Sequence, residues 1–364
     1  MTLTKEELVR YSRQLVVPEV GPEGQLRLKS AKVAVVGAGG LGNMVLACLA
    51  GAGVGELGIF DSGPVELSNL HRQFAYGTSD VGKLKTALAA ARLREINPGI
   101  EVTAREGLLT AANMKGALAG YDQIADCTDN FQTRSAINRA CLELGKTYVH
   151  AAVYRMEGQL AVFEPGRGPC LGCLSPLEAG DEAQACAEAG VLGPAAAAVG
   201  ALQALEVIKL ILGLETLKGR FAMLDFGSSR FSVAELPRWE DCPVCGKDAA
   251  KARPAPALRP AYITPEQLKA KLAEGARLRV LDLRQDWEHD LCHIPGDLRV
   301  EPEKLTGAAP GFRRGELLVL YCKGQSKSTS AWRALKAKGF EKVFVLEGGI
   351  DAWAEKIDKN MTRY

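Results

Sequence analysis

A glycine-rich turn follows the first strongly apolar run of the sequence and is suited to holding the phosphates of a nucleotide. The segment reads VGAGGLG, in which Gly37, Gly39 and Gly42 have the G-x-G-x-x-G spacing. A glycine turn between a strand and a helix directs backbone N–H groups and a helix N-terminus at phosphate oxygens. Asp61 ends the next apolar run about 20 residues later, where a carboxylate can accept hydrogen bonds from ribose hydroxyls. Taken alone, this pattern is the fingerprint of a dinucleotide site.

Charged residues in the loops that follow indicate a different nucleotide. Arg72 lies in ELSNLHRQF and Lys85 in VGKLKT, within one loop and one helix start of the glycines. A triphosphate attacked at its α-phosphorus needs fixed positive charge and usually Mg²⁺, whereas a helix N-terminus already neutralises a dinucleotide pyrophosphate. Asp129, in CTDN after another strand, is the candidate Mg²⁺ ligand. The simpler alternative is that the two cations are surface residues and that Asp129 and Asn130 cap the next helix.

Four cysteines occur as two C-x-x-C pairs, which are typical ligands of a structural zinc ion. The pairs are CLGC, with Cys170 and Cys173, and CPVC, with Cys242 and Cys245. Four thiolates form a closed, tetrahedral Zn²⁺ site, which is structural rather than catalytic. Because about 70 residues separate the pairs, the fold must bring two distant loops together. Two redox-active pairs or four inert thiols are the alternatives.

Two single cysteines stand where a thiol can act as a nucleophile. Cys186 lies in AQACAEAGVLG, just before an apolar helix, where partial exposure and the helix N-terminus would lower its pKa. Cys322 follows an apolar strand and opens CKGQSKS before a predicted helix, so that backbone N–H groups and a helix dipole stabilise a thiolate or persulfide. An unreactive loop thiol at Cys186 and a phosphatase-type loop at Cys322 fit the same local patterns.

Alternating β-branched runs and helical patterns must position these residues. The rhythm predicts an α/β fold, a Rossmann-like doubly wound, mainly parallel sheet with helices on both faces. Strands are predicted at 33–37, 57–61, 101–109, 123–126 and 148–153, and helices at 84–96 and 132–144. Added strands, with antiparallel pairing, are predicted at 159–164, 221–226 and 231–236.

Two domains joined by a linker are predicted, because the chain has 364 residues and single cores rarely exceed about 250 to 300. Residues 1–246 would form the first domain. The segment KDAAKARPAPALRPA, residues 247–261, is rich in alanine, proline and basic residues and predicts a semi-rigid linker. Residues 262–364 would form a smaller α/β domain with strands at 279–283, 317–321 and 342–346.

Composition and charge argue against several classes of protein. The formal net charge of +2 is too small to indicate nucleic acid or an anionic membrane as the main partner. The N-terminus lacks the apolar region of a signal peptide, and Glu206 and Lys209 interrupt the apolar stretch 195–214, which predicts a buried helix rather than a membrane span. A cytoplasmic location is therefore expected, where ten cysteines indicate metal binding or thiol chemistry rather than disulfides.

The motifs of the first domain occur together as they do in the MoeB/ThiF family, relatives of the ubiquitin-activating enzymes. Residues 5–245 resemble that family in RYSRQ, VGAGGLG, SNLHRQ, VGKLK, CTDN, RMEGQ and EAGVLGP. The resemblance implies that ATP adenylates the C-terminal glycine of a small ubiquitin-like sulfur carrier ending in Gly-Gly. With the glycines of the turn, the implied ATP and Mg²⁺ contacts are Gly40, Asp61, Ser68, Asn69, Leu70, His71, Arg72, Lys85, Asp129 and Asn130.

The same resemblance implies roles for residues outside the glycine turn. Family members are homodimers in which the arginine that matches Arg13 reaches into the partner's ATP site. The cysteine that matches Cys186 takes the activated carboxylate as a thioester or forms an acyl disulfide. MoeB-like proteins also carry the two C-x-x-C pairs, which favours zinc in this chain.

The second domain resembles a rhodanese domain over residues 262–357, in LDLR, HIPG and LEGGIDAW. The resemblance implies a persulfide on Cys322, with thiosulfate or a cysteine-desulfurase persulfide as the sulfur donor. Lys327 stands where such loops commonly have arginine, and Gly324 comes one residue earlier than the glycine of such loops. An inert rhodanese-like module is therefore the alternative. Together the two resemblances predict an adenylyltransferase/sulfurtransferase of the molybdopterin-synthase type, whose carrier thiocarboxylate would serve molybdopterin, thiamine, thiolated tRNA or secondary metabolites.

Two other function classes fit parts of the pattern. An NAD-dependent oxidoreductase fused to a thiol domain would transfer hydride and show no pyrophosphate exchange, but Arg72, Lys85 and Asp129 favour a triphosphate. A non-catalytic scaffold would bind a carrier protein and be indifferent to ATP. The glycine, aspartate and lysine residues expected of an active ATP site are all present, which argues against a scaffold that has lost its activity.

Overall fold

The chain folds into two compact units. The computed structural model describes residues 2–174, 190–247, 260–307 and 312–364, so that Cys186 and most of the predicted linker lie outside the described residues. The first unit contains residues 2–174 and 190–247, and the second contains the described residues from 260 onward. Each unit has its own sheet and its own hydrophobic core.

One eight-stranded sheet forms the centre of the first unit. Its strands are β1 (Lys32–Val36), β2 (Glu56–Asp61), β3 (Glu101–Glu106), β4 (Gln123–Asp126), β5 (Tyr148–Tyr154), β6 (Glu157–Phe163), β7 (Arg220–Asp225) and β8 (Arg230–Glu235). They lie in the order β3-β2-β1-β4-β5-β6-β7-β8. The first five pair in parallel and the last three are antiparallel additions. The predicted fold class is confirmed; β3 is shorter than predicted because Gly107 leaves the extended conformation at φ +108°.

Helices cover both faces of this sheet. They are α1 (Lys5–Arg10), α2 (Ser12–Leu15), α3 (Gly21–Ser30), α4 (Gly40–Ala52), α5 (Lys85–Ile96), α6 (Met114–Leu118), α7 (Phe131–Leu144), α8 (Leu171–Leu174) and α9 (Gly193–Leu212). Buried residues of α3, α4, α5 and α9 share one core with the sheet. Those of α6 and α7 share a second. This is the doubly wound arrangement that alternating strands and helices predict.

The apolar helix α9 packs inside the first unit. It is the one helix of the described residues that is long and apolar enough to cross a membrane, yet half of it is buried. It packs against α4 and β5. A Cβ atom at Gly200 would lie 2.7 Å from the carbonyl oxygen of Leu41, so glycine permits this close approach of the two helices. The contacts agree with the predicted buried helix.

The second unit is a smaller, parallel α/β structure. Its strands are β9 (Tyr262–Ile263), β10 (Leu278–Asp282), β11 (Leu298–Arg299), β12 (Leu317–Tyr321) and β13 (Val343–Leu346), in the order β11-β10-β12-β13-β9. Its helices are α10 (Pro265–Ala273), α11 (Asp286–Leu291), α12 (Pro302–Gly307), α13 (Ser326–Ala337) and α14 (Gly349–Lys356). The three predicted strands are present. The strands β9 and β11 were not predicted, since two residues are too few to establish a period.

Gly42 lies where the first turn of α4 packs against the residue that follows β1. A Cβ atom there would lie 1.8 Å from the carbonyl oxygen of Gly37. We expect Gly42→Ala to lower the free energy of unfolding by about 3 kcal/mol, because one of the two backbones must move. Gly51→Ala, in the same helix with nothing within 4 Å, is the matched control and should be neutral or mildly stabilising. Denaturant titration measures both; equal losses would contradict this packing.

Candidate functional site

The glycine turn lies where the strand order of the large sheet reverses. β1 has β2 on one side and β4 on the other, which opens a crevice beyond the carboxyl ends of the strands. In the register of the sheet, Val36 pairs with Phe60 and with Asp126. The turn after β1, Asp61 at the end of β2 and the CTDN loop after β4 therefore meet at one edge, as the sequence predicts.

The backbone of the turn is shaped to leave N–H groups available. Gly37 has φ +98°, and a Cβ atom there would lie 2.6 Å from the carbonyl oxygen of Cys127. Gly39 is the N-cap of α4, and no side chain among the described residues caps that helix. The N–H groups of its first turn, beginning at Gly40, can therefore donate to a phosphate.

Asp61 holds the turn in shape, a role that the sequence analysis did not assign. Its Oδ2 accepts a hydrogen bond of 2.8 Å from the backbone N–H of Ala38, and its Oδ1 accepts one of 2.8 Å from Gly63. Lys85 begins α5, and its Nζ lies 3.7 Å from the position of a Cβ atom on Gly63. The carboxylate and the ammonium group thus flank the same loop beside the glycines.

The SNLHRQ segment places Arg72 against the start of α4. The aliphatic part of its side chain lies 3.5 Å from the position of a Cβ atom on Gly40. Its Nη1 donates to the carbonyl oxygen of Ser68 at 2.8 Å and to Nε2 of His71 at 2.7 Å. Burial and the neighbouring guanidinium lower the pKa of His71, so its ring is neutral and accepts this hydrogen bond. The segment orients one cation beside the glycine turn.

The other predicted residues of this segment are structural and surface positions of one short loop. Leu67–Asn69 form a single 3-10 turn, in which Asn69 is buried and its Oδ1 accepts from the backbone N–H of Glu66. Ser68 is exposed and Leu70 half-buried. The loop therefore combines one buried, hydrogen-bonded asparagine with an exposed serine.

The two predicted residues of the CTDN loop, Asp129 and Asn130, have different surroundings. Asn130 is the N-cap of α7, and its side chain accepts a 2.8 Å hydrogen bond from the backbone N–H of Thr133. Asp129 is exposed beside it and takes no part in that cap. The capping alternative therefore describes Asn130, while the carboxylate of Asp129 faces solvent and can bind a cation.

A buried polar network beneath this loop was missed by the sequence analysis. Asp126 is fully buried, and its Oδ2 lies 2.9 Å from Nδ1 of His150. Burial opposes ionisation of Asp126, but hydrogen bonds from His150 and Thr128 and the charge of Arg134 outweigh it and lower its pKa. Burial lowers the pKa of His150, so its neutral ring donates through Nδ1. The network supports the loop that carries Asp129.

Gln203, a buried residue of α9, forms hydrogen bonds with the same network. Its side-chain amide donates to the carbonyl oxygens of Asp126 and Val149 at 2.8 and 2.9 Å. Its oxygen accepts from the thiol of Cys127 at 3.3 Å. The only sequence signal for this role is a single glutamine within an apolar helix.

Arg13, the arginine expected to reach a partner's ATP site, is exposed and lies on α2, near the N-terminus of the first unit.

The two C-x-x-C pairs come together in one cluster that could hold a metal ion. The sulfur atoms of Cys170 and Cys242 lie 3.8 Å apart, and those of Cys173 and Cys245 lie 3.5 Å apart. All four lie within 4.8 Å of one another. Bonds of about 2.3 Å in a tetrahedral zinc site place sulfur atoms about 3.8 Å apart, so the cluster has the required dimensions.

Backbone hydrogen-bond donors favour the thiolate form of one sulfur in this cluster. Burial raises the pKa of Cys170 to about 11. Burial also tends to raise the pKa of Cys242, but the backbone N–H groups of Cys245 and Val244 donate to its sulfur and lower that pKa. Backbone donors directed at a sulfur stabilise its thiolate form, which is the form that binds a metal.

Cys322 directly follows β12 and is buried. Its sulfur lies 3.4 Å from Oγ of Ser328, in the first turn of α13. The predicted order of strand, cysteine, loop and helix is present, so the sulfur stands near a helix N-terminus, where a thiolate is stabilised.

Gly349, the first residue of α14, packs against the backbone of the Cys322 loop. It has φ +59°, and a Cβ atom there would lie within 2.5 Å of the carbonyl oxygens of Cys322, Lys323 and Gly324. The backbone N–H of Ile350 donates to the carbonyl oxygen of Cys322 at 2.9 Å. The start of α14 therefore holds the carbonyl groups of the loop. The sequence signal is the glycine pair in LEGGIDAW.

The chain matches two known families in succession. Residues 11–244 match the ThiF family, and residues 264–356 match the rhodanese-like domain. The crystal structure of E. coli MccB has a TM-score of 0.57 and 26% sequence identity to this chain, and covers 67% of this chain and 74% of MccB.

Two curated relatives show how far the similarity extends. The probable adenylyltransferase/sulfurtransferase MoeZ of Mycobacterium tuberculosis is 38% identical, with 100% of this chain and 96% of MoeZ covered. The sulfur carrier protein adenylyltransferase of Thermus thermophilus is 46% identical over 68% of this chain and 94% of its own length. The chain belongs to the ThiF family and carries a rhodanese-like domain after its ThiF region.

Proposed function

We propose that this protein is an enzyme that adenylates the C-terminal glycine of a small ubiquitin-like sulfur carrier and then converts it to a thiocarboxylate. The observation that carries the proposal is the full-length similarity to an adenylyltransferase/sulfurtransferase, together with a glycine turn flanked by cations and a cysteine loop in the second unit. The similarity does not favour the alternative of an NAD-dependent oxidoreductase.

The phosphates of ATP would lie on the first turn of α4. Gly37 and Gly42 permit the close packing of the turn against Cys127 and against the start of α4. Gly39 is the N-cap, and the uncapped N–H groups from Gly40 onward would donate to phosphate oxygens. Asp129 would hold Mg²⁺ at the exposed rim of the crevice. The ion, when bound, neutralises the charge that develops on the departing pyrophosphate.

The first chemical step needs no general base. The carrier's carboxylate is already ionised, and its oxygen attacks the α-phosphorus of ATP to form an acyl-adenylate while pyrophosphate departs. Arg72 and Lys85 offset the phosphate charge from fixed positions beside the turn. Arg13 would reach the equivalent site of a second copy in a homodimer.

The second step transfers sulfur from Cys322. The terminal sulfur of a Cys322 persulfide attacks the acyl carbon, AMP departs, and an acyl disulfide joins the carrier to Cys322. A thiol then attacks the Cys322 sulfur, which releases the carrier thiocarboxylate and leaves a disulfide that a second thiol reduces. Cys186, outside the described residues, is the candidate for an intermediate thiol. Thiosulfate or a cysteine-desulfurase persulfide would recharge Cys322.

The cofactors, location and pathway complete the proposal. Four cysteines would bind a structural Zn²⁺, and the enzyme would act in the cytoplasm without nucleic acid or membrane as partner. The carrier thiocarboxylate would serve molybdopterin synthesis first, with thiamine, tRNA thiolation and secondary metabolites as the other destinations.

Removing zinc should weaken the first unit strongly. We expect one zinc per chain, and we expect Cys173→Ser or prolonged chelation to lower the melting temperature by roughly 10 °C, because a closed thiolate site stabilises the two loops it joins. Metal analysis and thermal unfolding measure both. Cys48→Ser, outside the cluster, is the control. A chain without zinc and with unchanged melting would contradict the assignment.

One reaction tests the whole function. The full chain is incubated with purified carriers ending in Gly-Gly, Mg-ATP and thiosulfate, and the carrier is examined by intact mass for the replacement of one oxygen by sulfur. The product should require ATP, and a carrier lacking the final glycine should remain unchanged. Absence of any carrier-dependent exchange of pyrophosphate into ATP, with nicotinamide bound instead, would contradict the proposal.

A further inference from the structure

Three side chains with metal-binding atoms form a second cluster, in the second unit. His289 lies in α11, His293 follows four residues later, and Asp297 stands just before β11. One donor atom from each lies within 4.8 Å of the others. The helix ends at Leu291, and the loop that follows turns the ring of His293 back against that of His289, so the chain brings these donors together locally.

The three side chains form a half-open site. Nε2 of His289 and Oδ1 of Asp297 are 3.1 Å apart. The rings of His289 and His293 are stacked, with centroids 4.3 Å apart and an interplanar angle of 11°. The side chain of Asp297 is only 2% exposed and that of His289 24%, whereas His293 is exposed. The carboxylate lies at the bottom and the second imidazole at the mouth.

Hydrogen bonds set the tautomer of His293 and the orientation of the Asp297 carboxylate. A carbonyl oxygen can only accept, so Nδ1 of His293 must donate its proton to the carbonyl oxygen of His289, 3.0 Å away. That tautomer leaves the lone pair of Nε2 for a metal. The hydroxyl of Tyr321 accepts from the backbone N–H of Ile294 at 3.3 Å and donates to Oδ2 of Asp297. Oδ1 of that carboxylate therefore remains for a cation.

We propose that His289, His293 and Asp297 bind a divalent transition-metal ion of the cobalt, nickel and zinc class. Bonds of about 2.0 to 2.2 Å place donors in one coordination shell about 3 to 3.5 Å apart. The pair His289–Asp297 already meets this spacing. The exposed side chain of His293 must rotate out of the stack to reach the same ion, and this rotation breaks its hydrogen bond to the carbonyl oxygen of His289. Binding through Nε2 uses the other neutral tautomer of His289, in which the proton has moved through solvent from Nε2 to Nδ1, and water completes the coordination of the ion.

The donor set selects the ion. Two imidazole nitrogens and one carboxylate suit cobalt, nickel and zinc, whereas Mg²⁺ and Ca²⁺ prefer oxygen ligands throughout. The four-cysteine cluster has only sulfur donors, so the two sites differ in spectrum and in preferred ion. The proposal is independent of adenylation and sulfur transfer, which use other residues.

Titration with Co²⁺ tests the site. The full chain is first loaded with one equivalent of Zn²⁺ and then titrated with Co²⁺ by calorimetry and visible absorption. We expect one Co²⁺ per chain, with no sulfur-to-cobalt charge-transfer band. His293→Ala should weaken binding at least about tenfold, and Asp297→Asn should do the same. Asp290→Asn, an exposed position on α11, is matched in charge and should bind as the parent does.

The outcomes are distinct. Because His293 is exposed, His293→Ala should retain the parent's melting temperature, so its loss of binding reports a ligand. Tyr321→Phe should weaken binding to a smaller degree, as a residue that only orients Asp297. No cobalt bound beyond the zinc, equal binding by His293→Ala and the parent, or a thiolate band would each overturn the proposal.

Discussion

Cys322→Ala should abolish formation of the carrier thiocarboxylate and leave carrier-dependent exchange of pyrophosphate into ATP within about twofold of the parent. In the proposed mechanism the exchange uses the glycine turn, its cations and Asp129, which all lie in the first unit. Sulfur transfer requires a persulfide, and the alanine variant has no sulfur at that position. Isotope exchange and intact mass of the carrier measure the two steps separately.

The matched control for this prediction is Cys292→Ala. Cys292 is a partly exposed thiol of the same unit, and it lies beside Arg284 rather than in the Cys322 loop. Both activities should survive that substitution. Loss of exchange in Cys322→Ala would show that the steps are not divided between the two units, and full thiocarboxylate yield would assign the sulfur to another residue.

Arg72→Ala should lower carrier-dependent pyrophosphate exchange by about 100-fold to 1000-fold, the usual effect of removing one preorganised donor from a developing negative charge. The guanidinium is held beside Gly40 by Ser68 and His71, so in the proposed ATP site it would not have to be reorganised as the phosphate charge develops. Arg72→Lys should recover part of the rate, because it keeps the charge but not the planar geometry. Initial rates at saturating ATP provide the measurement.

Lys83→Ala is the control for a general loss of positive charge. Lys83 is exposed two residues before Lys85 and forms an ion pair of 3.2 Å with Asp80. Its loss should leave the exchange rate unchanged. An Arg72→Ala variant that exchanges as fast as this control would remove Arg72 from the ATP site.

Much of the fold could be predicted because its signals are local. The apolar runs and helical periods of the first unit correspond to strands and helices within a few residues, since side-chain periodicity records which face of an element is buried. Gly37 and Gly42 mark a turn that tolerates no side chain, and such a requirement is visible in residue type alone. The crevice followed from the rule that parallel strands end at one edge.

The tertiary structure decided which distant residues meet. The sequence by itself determined two C-x-x-C pairs, the Cys322 loop and the glycine turn, because each is a short segment whose residue types specify its conformation. Only folding placed Cys170 against Cys242, His150 against Asp126, and Gly349 against the carbonyl groups after Cys322. Such contacts depend on strand order and on the packing of separate elements, and a single sequence carries no local signal for either.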